Sequence, residues 1–424
     1  MQGRGLLLDL LLREGYISVI SGEPGTGKTF LALKAAIEAS KAGDKVVMYA
    51  FNEDSKTLEK RIKEVFKEEV KIEVREAITM AKEGAAHLTS DILLEATLGS
   101  TVIIDPIDAL MADISSKQEY RTMIQTLYKT VKGSRGRLII VSESSDPFLL
   151  TGYAADAYIT LYEEIIEDRI YRYASIRKAR DVKIERPYIP FSLHMGFNEL
   201  SGELALRLKA SMLEKLLEPG GRYIIEIDPS IPYRSVNEIK RTLTALYLSE
   251  GRGVIYYASL DESRDEITEV IRKYLKGKGL LKNLLIVMKR KEKIGEDITD
   301  YWNNFFKRRK EMARYLRRIT KKAPISIFNL WFNNYIYSKI GDEYIELIQS
   351  MIRFDKEEGV VAIGITTSGV KVNRADEYLA DGYFKVFQKH GTLFVYGEKP
   401  FTPIYAISLV REGGIEEVRY TPIV

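Results

Sequence analysis

The sequence predicts an α/β protein: two tandem copies of a mostly parallel twisted sheet flanked by helices, with the second copy degenerate. Three observations carry this. Short apolar strands alternate with amphipathic segments along the chain, as sheets wound between helix layers require. A strand, a glycine-rich turn and a helix follow one another over residues 16–37, in the order that a phosphate-binding P-loop needs. Finally, Gly43 to Ser55 lines up with Gly251 to Ser263 at an offset of 208, and the self-similarity resumes downstream.

With 424 residues the chain is long enough for two or three domains at about 150 residues each, every one with its own core. A hydrophobic content of 45% excludes a disordered chain, and 64 Lys and Arg against 60 Asp and Glu is so nearly balanced that a nucleic-acid partner must show as a local patch. The absence of Cys rules out disulfides, thiolate metal sites and Cys nucleophiles, and fits a reducing, cytoplasmic setting. His87, His194 and His390 stand far apart, so Mg²⁺ carried with a nucleotide is the metal to expect. No apolar run approaches the roughly 18 residues of a membrane span, and no signal peptide is recognisable. Abundant Ile, Tyr, Lys, Arg and Glu is a composition of thermophilic type.

The first element is a buried strand, Tyr16 to Ser21, which runs into Gly22-Glu23-Pro24-Gly25-Thr26-Gly27-Lys28-Thr29 and then a helix beginning at Phe30. Gly22, Gly25 and Gly27 let successive backbone N–H groups aim at one anion, at the positive end of a helix dipole. Lys28 adds a mobile charge, and Thr29 supplies a hydroxyl for Mg²⁺ between the β- and γ-phosphates of a nucleotide. The apolar strand Thr101 to Asp105 ends in a carboxylate suited to the same Mg²⁺, the alternative being a strand closed by an Asp-Pro turn. The strand Lys45 to Phe51 ends in Asn52-Glu53-Asp54-Ser55 at the same sheet edge. There Glu53 is placed to orient a water, unless the cluster only opens the helix that follows.

Together these residues resemble the RecA/KaiC branch of P-loop ATPases, specifically the KaiC-like proteins common in archaea, over most of residues 5–200. The resemblance implies ATP as the nucleotide. It also implies that Glu53, matching the first Glu of a Phe-Glu-Glu-Ser element, polarises water. Asn52 stands where Phe is usual, which keeps Asp54 as a second candidate. Arg137 to Glu143 resembles the sensor strand, with Glu143 at its γ-phosphate end, and Ala155-Asp156 to Ile159 resembles a further family strand. Tyr173 to Arg180 resembles the element whose Lys and Arg reach a neighbouring subunit. By that analogy Lys178 and Arg180 act in trans within a homo-oligomeric ring, often a hexamer, whereas the residues alone also fit a solvated hairpin. The lead from Gly5 to Gly15 is short and leaves no room for a separate DNA-binding domain before the P-loop, which weakens a recombinase reading.

The active domain is expected at 1–205 and its degenerate copy at 206–424. Thr101 to Asp105 matches Ile325 to Asn329 at an offset of 224, and Ala155 to Tyr158 pairs with Ala380 to Tyr383. Where the copy should carry its P-loop stands Pro229 to Val236, without the glycines, the Lys or the Mg²⁺ hydroxyl, and with prolines that cannot build an anion nest. Asp105 becomes Asn329 and Glu143 becomes Thr367, so the copy reads as a pseudo-ATPase. Asp261 and Glu262 read as a capping cluster, and Arg234 as a surface residue. The Ser-Thr pair phosphorylated in the family's circadian clock protein has no counterpart before Ala380-Asp381, so an autokinase is not expected.

The copy is longer by 16 residues, placed within about 281–322. Lys307 to Lys322 holds nine basic residues and one acid. At helical period Phe305, Met312, Leu316 and Ile319 form an apolar stripe, and Lys310, Arg314, Arg317 and Lys321 a basic one. This is either a docked helix with a solvated face or a site for an anionic partner, DNA, RNA or an acidic protein, with Lys289-Arg290-Lys291 extending it. The leading expectation is an ATP-binding, slowly hydrolysing regulator. The alternatives are a recombination accessory that binds DNA non-specifically and a nucleotide-gated scaffold without hydrolysis.

Overall fold

The computed structural model of the chain describes residues 5–77, 85–112, 117–143, 154–200, 218–259, 261–275, 279–288, 298–329, 343–367, 377–412 and 415–424. Two compact units emerge: Met1–Ser201 together with Pro422–Val424, and Gly202–Thr421. No helix among the described residues is long and apolar enough to cross a membrane.

Unit 1 contains, in chain order, α1 (Leu6–Leu11), β1 (Ile17–Gly22), α2 (Lys28–Lys41), β2 (Val46–Ala50), α3 (Ser55–Glu64), β3 (Glu73–Glu76), α4 (Ala85–Thr97), β4 (Thr101–Asp105), α5 (Ile107–Ala112), α6 (Lys117–Lys132), β5 (Arg137–Val141), β6 (Ala157–Ile166), β7 (Arg169–Ala179), β8 (Tyr188–Ser192) and β9 (Asn198–Glu199). Its nine-stranded sheet runs β3-β2-β4-β5-β1-β6-β7-β8-β9. The first six strands in that order are mutually parallel and the rest antiparallel. Parallel strands are covered on both faces, which is why β2 and, after Arg137, β5 read as continuous apolar runs. Alternate residues feed opposite layers: Ile103 joins Leu31 and Ile37 of α2, while Val102 and Ile104 join Ile92 of α4 and Leu127 of α6. Helix α2 is apolar nearly all round, with Leu31, Ala32, Leu33, Ala35, Ala36 and Ile37 fully buried, so it is a core helix that holds the P-loop rigidly.

Unit 2 contains β10 (Arg222–Ile227), α7 (Tyr233–Ser249), β11 (Val254–Tyr257), α8 (Arg264–Leu275), a 3₁₀ turn (Gly279–Asn283), β12 (Leu284–Val287), α9 (Ile298–Thr320), β13 (Ile325–Asn329), α10 (Glu343–Glu358), β14 (Val361–Thr367), β15 (Gly382–Lys389), β16 (Thr392–Lys399), β17 (Tyr405–Glu412) and β18 (Ile415–Pro422). The sheet order is β12-β11-β13-β14-β10-β15-β16-β17-β18, which repeats that of unit 1 strand for strand. A hydrogen-bond detail repeats too. In unit 1 the Asp156 N–H donates to Ile17 O (2.8 Å) and the Ile17 N–H to Asp156 Oδ2 (3.1 Å). In unit 2 Asp381 and Arg222 make the same exchange, at 2.8 and 2.8 Å.

Helix α9 departs from the expected stripes. The side chains of 298–306, Phe305 among them, and the segment 289–297 lie outside the described residues. Leu316 is buried and Met312 packs beside it as expected, whereas Ile319 is 41% exposed and Arg309 and Ala313 complete the inward face. The Arg309 guanidinium tolerates burial because it is ion-paired with Asp355 on α10 at 2.6 Å. Lys310 and Arg314 both reach Glu358, at 3.6 and 3.0 Å, so part of the basic stripe is spent inside unit 2.

Candidate functional site

The carboxyl-terminal ends of β1, β2, β4 and β5 meet at one edge of unit 1, the edge where open α/β sheets hold ligands. The loop Glu23–Gly27 leaves β1 there. Gly22, Gly25 and Gly27 have φ of +142°, +84° and +97°. A Cβ on Gly22 would stand 2.5 Å from Leu161 O, and one on Gly27 would stand 2.8 Å from Leu193, so backbone alone fits at both places. Glu23, Pro24 and Gly25 form the exposed tip, braced by the Thr26 hydroxyl, which donates to Glu23 O at 2.8 Å. Such a cradle of amides at the start of a helix fits phosphate oxygens.

Lys28 opens α2 and is buried; its ammonium donates to Gly22 O (2.8 Å) and Glu23 O (2.9 Å), folded back along the loop. Burial lowers its pKa from the ordinary lysine value, opposed by the nearby carboxylates Glu143, Asp105 and Asp108. Asp105 ends β4 near the Thr29 side chain, which acts on its carboxyl. Burial pushes its carboxyl up to about 6, Thr29 holding it lower and the Glu53 charge adding to the rise. A hydroxyl and a carboxylate near one another at the base of an amide cradle form a donor set suited to Mg²⁺.

Glu53 and Asp54, adjacent in sequence, have separate surroundings. Asp54 is the N-cap of α3, accepting from the Thr57 N–H at 2.7 Å, which lowers its pKa. Glu53 is half-buried and faces Arg61, whose Nη1 and Nη2 donate to its two oxygens at 2.6 and 3.0 Å. Phe30 follows Thr29 directly, packs on Phe66 with ring centroids 5.6 Å apart, and carries the Arg61 guanidinium 5.5 Å from its ring centre. Glu143 is exposed, and its N–H donates to Asp108 Oδ2 at 2.7 Å.

Lys178 and Arg180 are not gathered here. Lys178 pairs across the sheet with Tyr158, and Ala157 lies beside Ser18, whereas the P-loop edge lies beside Leu161. The two cations therefore stand about 13 Å of strand away, at the opposite edge. Arg180 is 3.6 Å from Asp156 and hydrogen-bonded to Tyr128.

Sequence reasoning missed three residues that the fold brings to this edge. Asp108 holds the end of the β5 strand; a second acid three residues after Asp105 was its only signal. Arg61 had none beyond helical spacing. Arg172 is buried, donates to Gly25 O at 3.1 Å and pairs with Glu163 at 2.6 Å, a cross-strand partner in the β6–β7 register.

The corresponding edge of unit 2 is built differently. Pro232 is the residue before α7, and the side chain of Arg234 lies outside the described residues. Glu262 does not cap α8: Ser263 does, accepting from the Glu266 N–H at 3.2 Å. Glu262 instead lies in a buried network, with Lys240 at 2.8 Å, Arg241 at 3.0 Å and the Tyr256 hydroxyl at 2.5 Å. Asn237 donates to Asp261 at 3.1 Å, and Asn329 donates to the Ser259 hydroxyl at 2.6 Å. Side chains bonded to one another occupy the space around these strand ends.

Compared with known families, residues 8–196 match the family model described as ATPase: KaiC. No curated protein matches the chain. That stretch lies within unit 1 and is similar to KaiC-type ATPase domains, which supports a nucleotide-binding ATPase in general.

Proposed function

We propose that unit 1 binds Mg·ATP and hydrolyses it slowly, and that the protein works as an oligomeric nucleotide switch. The observation that carries this is the convergence of the positive-φ glycine loop, Lys28, the Thr29–Asp105 pair and Glu53 at one sheet edge. The loop amides and Lys28 hold the phosphates. Thr29 and Asp105 would hold Mg²⁺, which when bound neutralises charge on the β- and γ-phosphates. Glu53 orients the attacking water, since Asp54 is committed to its helix cap. Glu143, at the end of the β5 strand, senses the γ-phosphate.

The standing of Lys178 and Arg180 at the edge remote from their own P-loop supports a role on a neighbouring copy, within a ring. Unit 2, whose equivalent edge is filled by its own side chains, is proposed as a pseudo-ATPase that reads the state of unit 1. ATP turnover together with mass in solution tests this, comparing wild type with Lys28→Ala. Turnover that needs Lys28 and rises as the protein assembles is expected; bound ATP with no turnover leaves a scaffold instead.

A second reading, DNA binding by unit 2, is favoured by one observation. Among the described residues Lys307, Arg308, Arg318 and Lys321 of the α9 region are exposed and have no ion-pair partner. Reversing their charge should flatten the salt dependence of single-stranded DNA affinity, and an unchanged slope counts against this reading.

A further inference from the structure

We infer that Arg61 is the positioning residue of the ATPase site: its guanidinium fork sets the plane of the Glu53 carboxylate and ties it, through Phe30, to the first turn of the P-loop helix. This rests on the reading of unit 1 as an ATP-hydrolysing site.

Glu53 sits in the connection between β2 and α3, where no strand or helix fixes its side chain. A carboxylate there is free to turn about its χ angles unless something holds both oxygens. Arg61 does so, at 2.6 and 3.0 Å. Two parallel N–H···O bonds fix a plane, which a single bond does not. Arg61 is itself fixed. It stands two turns into α3, whose Leu58 and Ile62 are buried and set the helix phase, and its guanidinium rests over the Phe30 ring at 5.5 Å. Phe30 follows Thr29 in the chain, so the first turn of α2 cannot shift without moving the ring that Arg61 rests on. Glu53 and Arg61 both lie close enough to Asp105 to act on its charge, so the fork belongs to the same edge as the proposed Mg²⁺ ligands.

The plain alternative is a part-exposed ion pair contributing at most about 1 kcal/mol of stability and nothing to chemistry. The two accounts differ in kinetics. A base displaced by about 1 Å loses on the order of 100-fold in rate without a matching loss of binding. Lys in place of Arg offers a point charge without the fork.

The test uses the full chain and measures kcat and KM for ATP hydrolysis, and affinity for a fluorescent ATP analogue, in Arg61→Ala, Arg61→Lys, Glu53→Gln and the Arg61→Ala/Glu53→Gln pair. Arg61→Ala should lower kcat about 10- to 100-fold, with KM and analogue affinity within about twofold. Arg61→Lys should recover little, and millimolar guanidinium should restore part of the Arg61→Ala turnover. In the Glu53→Gln background the Arg61 change should add no further loss. Phe30→Leu, which keeps an apolar side chain, should give an intermediate loss of kcat and serves if Arg61→Ala does not fold.

Lys28-dependent turnover that ignores Arg61→Ala, or an Arg61 effect equally large in the Glu53→Gln background, overturns this inference and leaves the ATPase reading standing. Wild-type protein without Lys28-dependent turnover overturns both.

Discussion

Lys240 and Glu262 form an ion pair of 2.8 Å in which neither side chain is exposed. Burial by itself would raise the Glu262 pKa. The Lys240 charge and hydrogen bond, the Ser259 N–H and the Tyr256 hydroxyl outweigh it and leave the carboxyl below its ordinary value. Glu262→Ala strands Lys240 and Arg241 in the core and should cost unit 2 about 3–5 kcal/mol. The chain's two tryptophans, Trp302 and Trp331, both fall in unit 2, so fluorescence during urea unfolding reads that unit selectively. A folded pKa below the unfolded value means that this stability is fully present above pH 4.5 and is lost as the pH falls through the folded value. The gap between wild type and Glu262→Gln should therefore shrink in acid; a constant gap would show that the charge is not what matters.

Glu199 should give unit 1 the opposite dependence. Its carboxylate accepts the N–H groups of Leu7 and Leu8 at 3.0 and 3.3 Å, and burial pushes it up to about 7 against those bonds. Folding then takes up a proton. The associated stability is complete below pH 4.5 and is lost as the pH rises through about 7. Glu199→Gln keeps an acceptor without the charge, so it should stabilise unit 1 above pH 7 and flatten the dependence. Hydrogen exchange of unit 1 peptides at several pH values reads this, and an unaltered profile in the variant would refute it.

Two glycines with similar backbones should respond differently to alanine. Gly22 has φ +142° and a carbonyl 2.5 Å from the added Cβ, whereas Gly43 has φ +92° and open space. Gly22→Ala should lower nucleotide affinity by at least about tenfold, a strain of 1–3 kcal/mol placed in the cradle itself. Gly43→Ala should cost about 1 kcal/mol of stability and leave affinity alone. Titration with a fluorescent ATP analogue separates them.

The repeated aspartates offer a matched pair. Asp381→Ala should cost unit 2 about 1–3 kcal/mol by leaving the Arg222 N–H without its acceptor. Asp156→Ala should cost unit 1 more, because Asp156 is fully buried where Asp381 is exposed, and because Lys132, at 2.9 Å, also loses its partner. Equal losses would mean that neither the deeper burial of Asp156 nor the Lys132 contact contributes.

What was legible in the sequence was whatever is encoded locally. Glycine spacing between a strand and a helix marks a loop whose backbone needs positive φ, and an apolar run of five marks a parallel strand. The repeat was legible because two sheets of the same order leave the same alternation of apolar runs. Partners far along the chain were not. The neighbours of Glu262 look like a helix start, but Lys240, some twenty residues upstream, turns inward from α7 and claims it. In α9 the period was right and so was most of the phase, with Leu316 and Met312 on the packed face; what stayed hidden was the inward Arg309, whose acid Asp355 lies on another helix, and the exposure of Ile319 at the last turn. Arg61 and Arg172 leave no mark in the sequence because a guanidinium reaches across elements that sequence does not show to be adjacent.

Arg172 carries one consequence that concerns time. The same guanidinium that donates to Gly25 O donates to Val424 O at 3.0 Å, and the Ser192 hydroxyl bonds to Pro422 O. The whole of Gly202–Thr421 is synthesised between Ser201 and the residues that finish this corner. At roughly 5–20 residues per second, the P-loop emerges and folds tens of seconds before its last brace exists. During that interval a nascent unit 1 meets cellular nucleotide with Arg172 able to reach Gly25 O but lacking its Val424 partner, so the order of translation sets when this corner is complete.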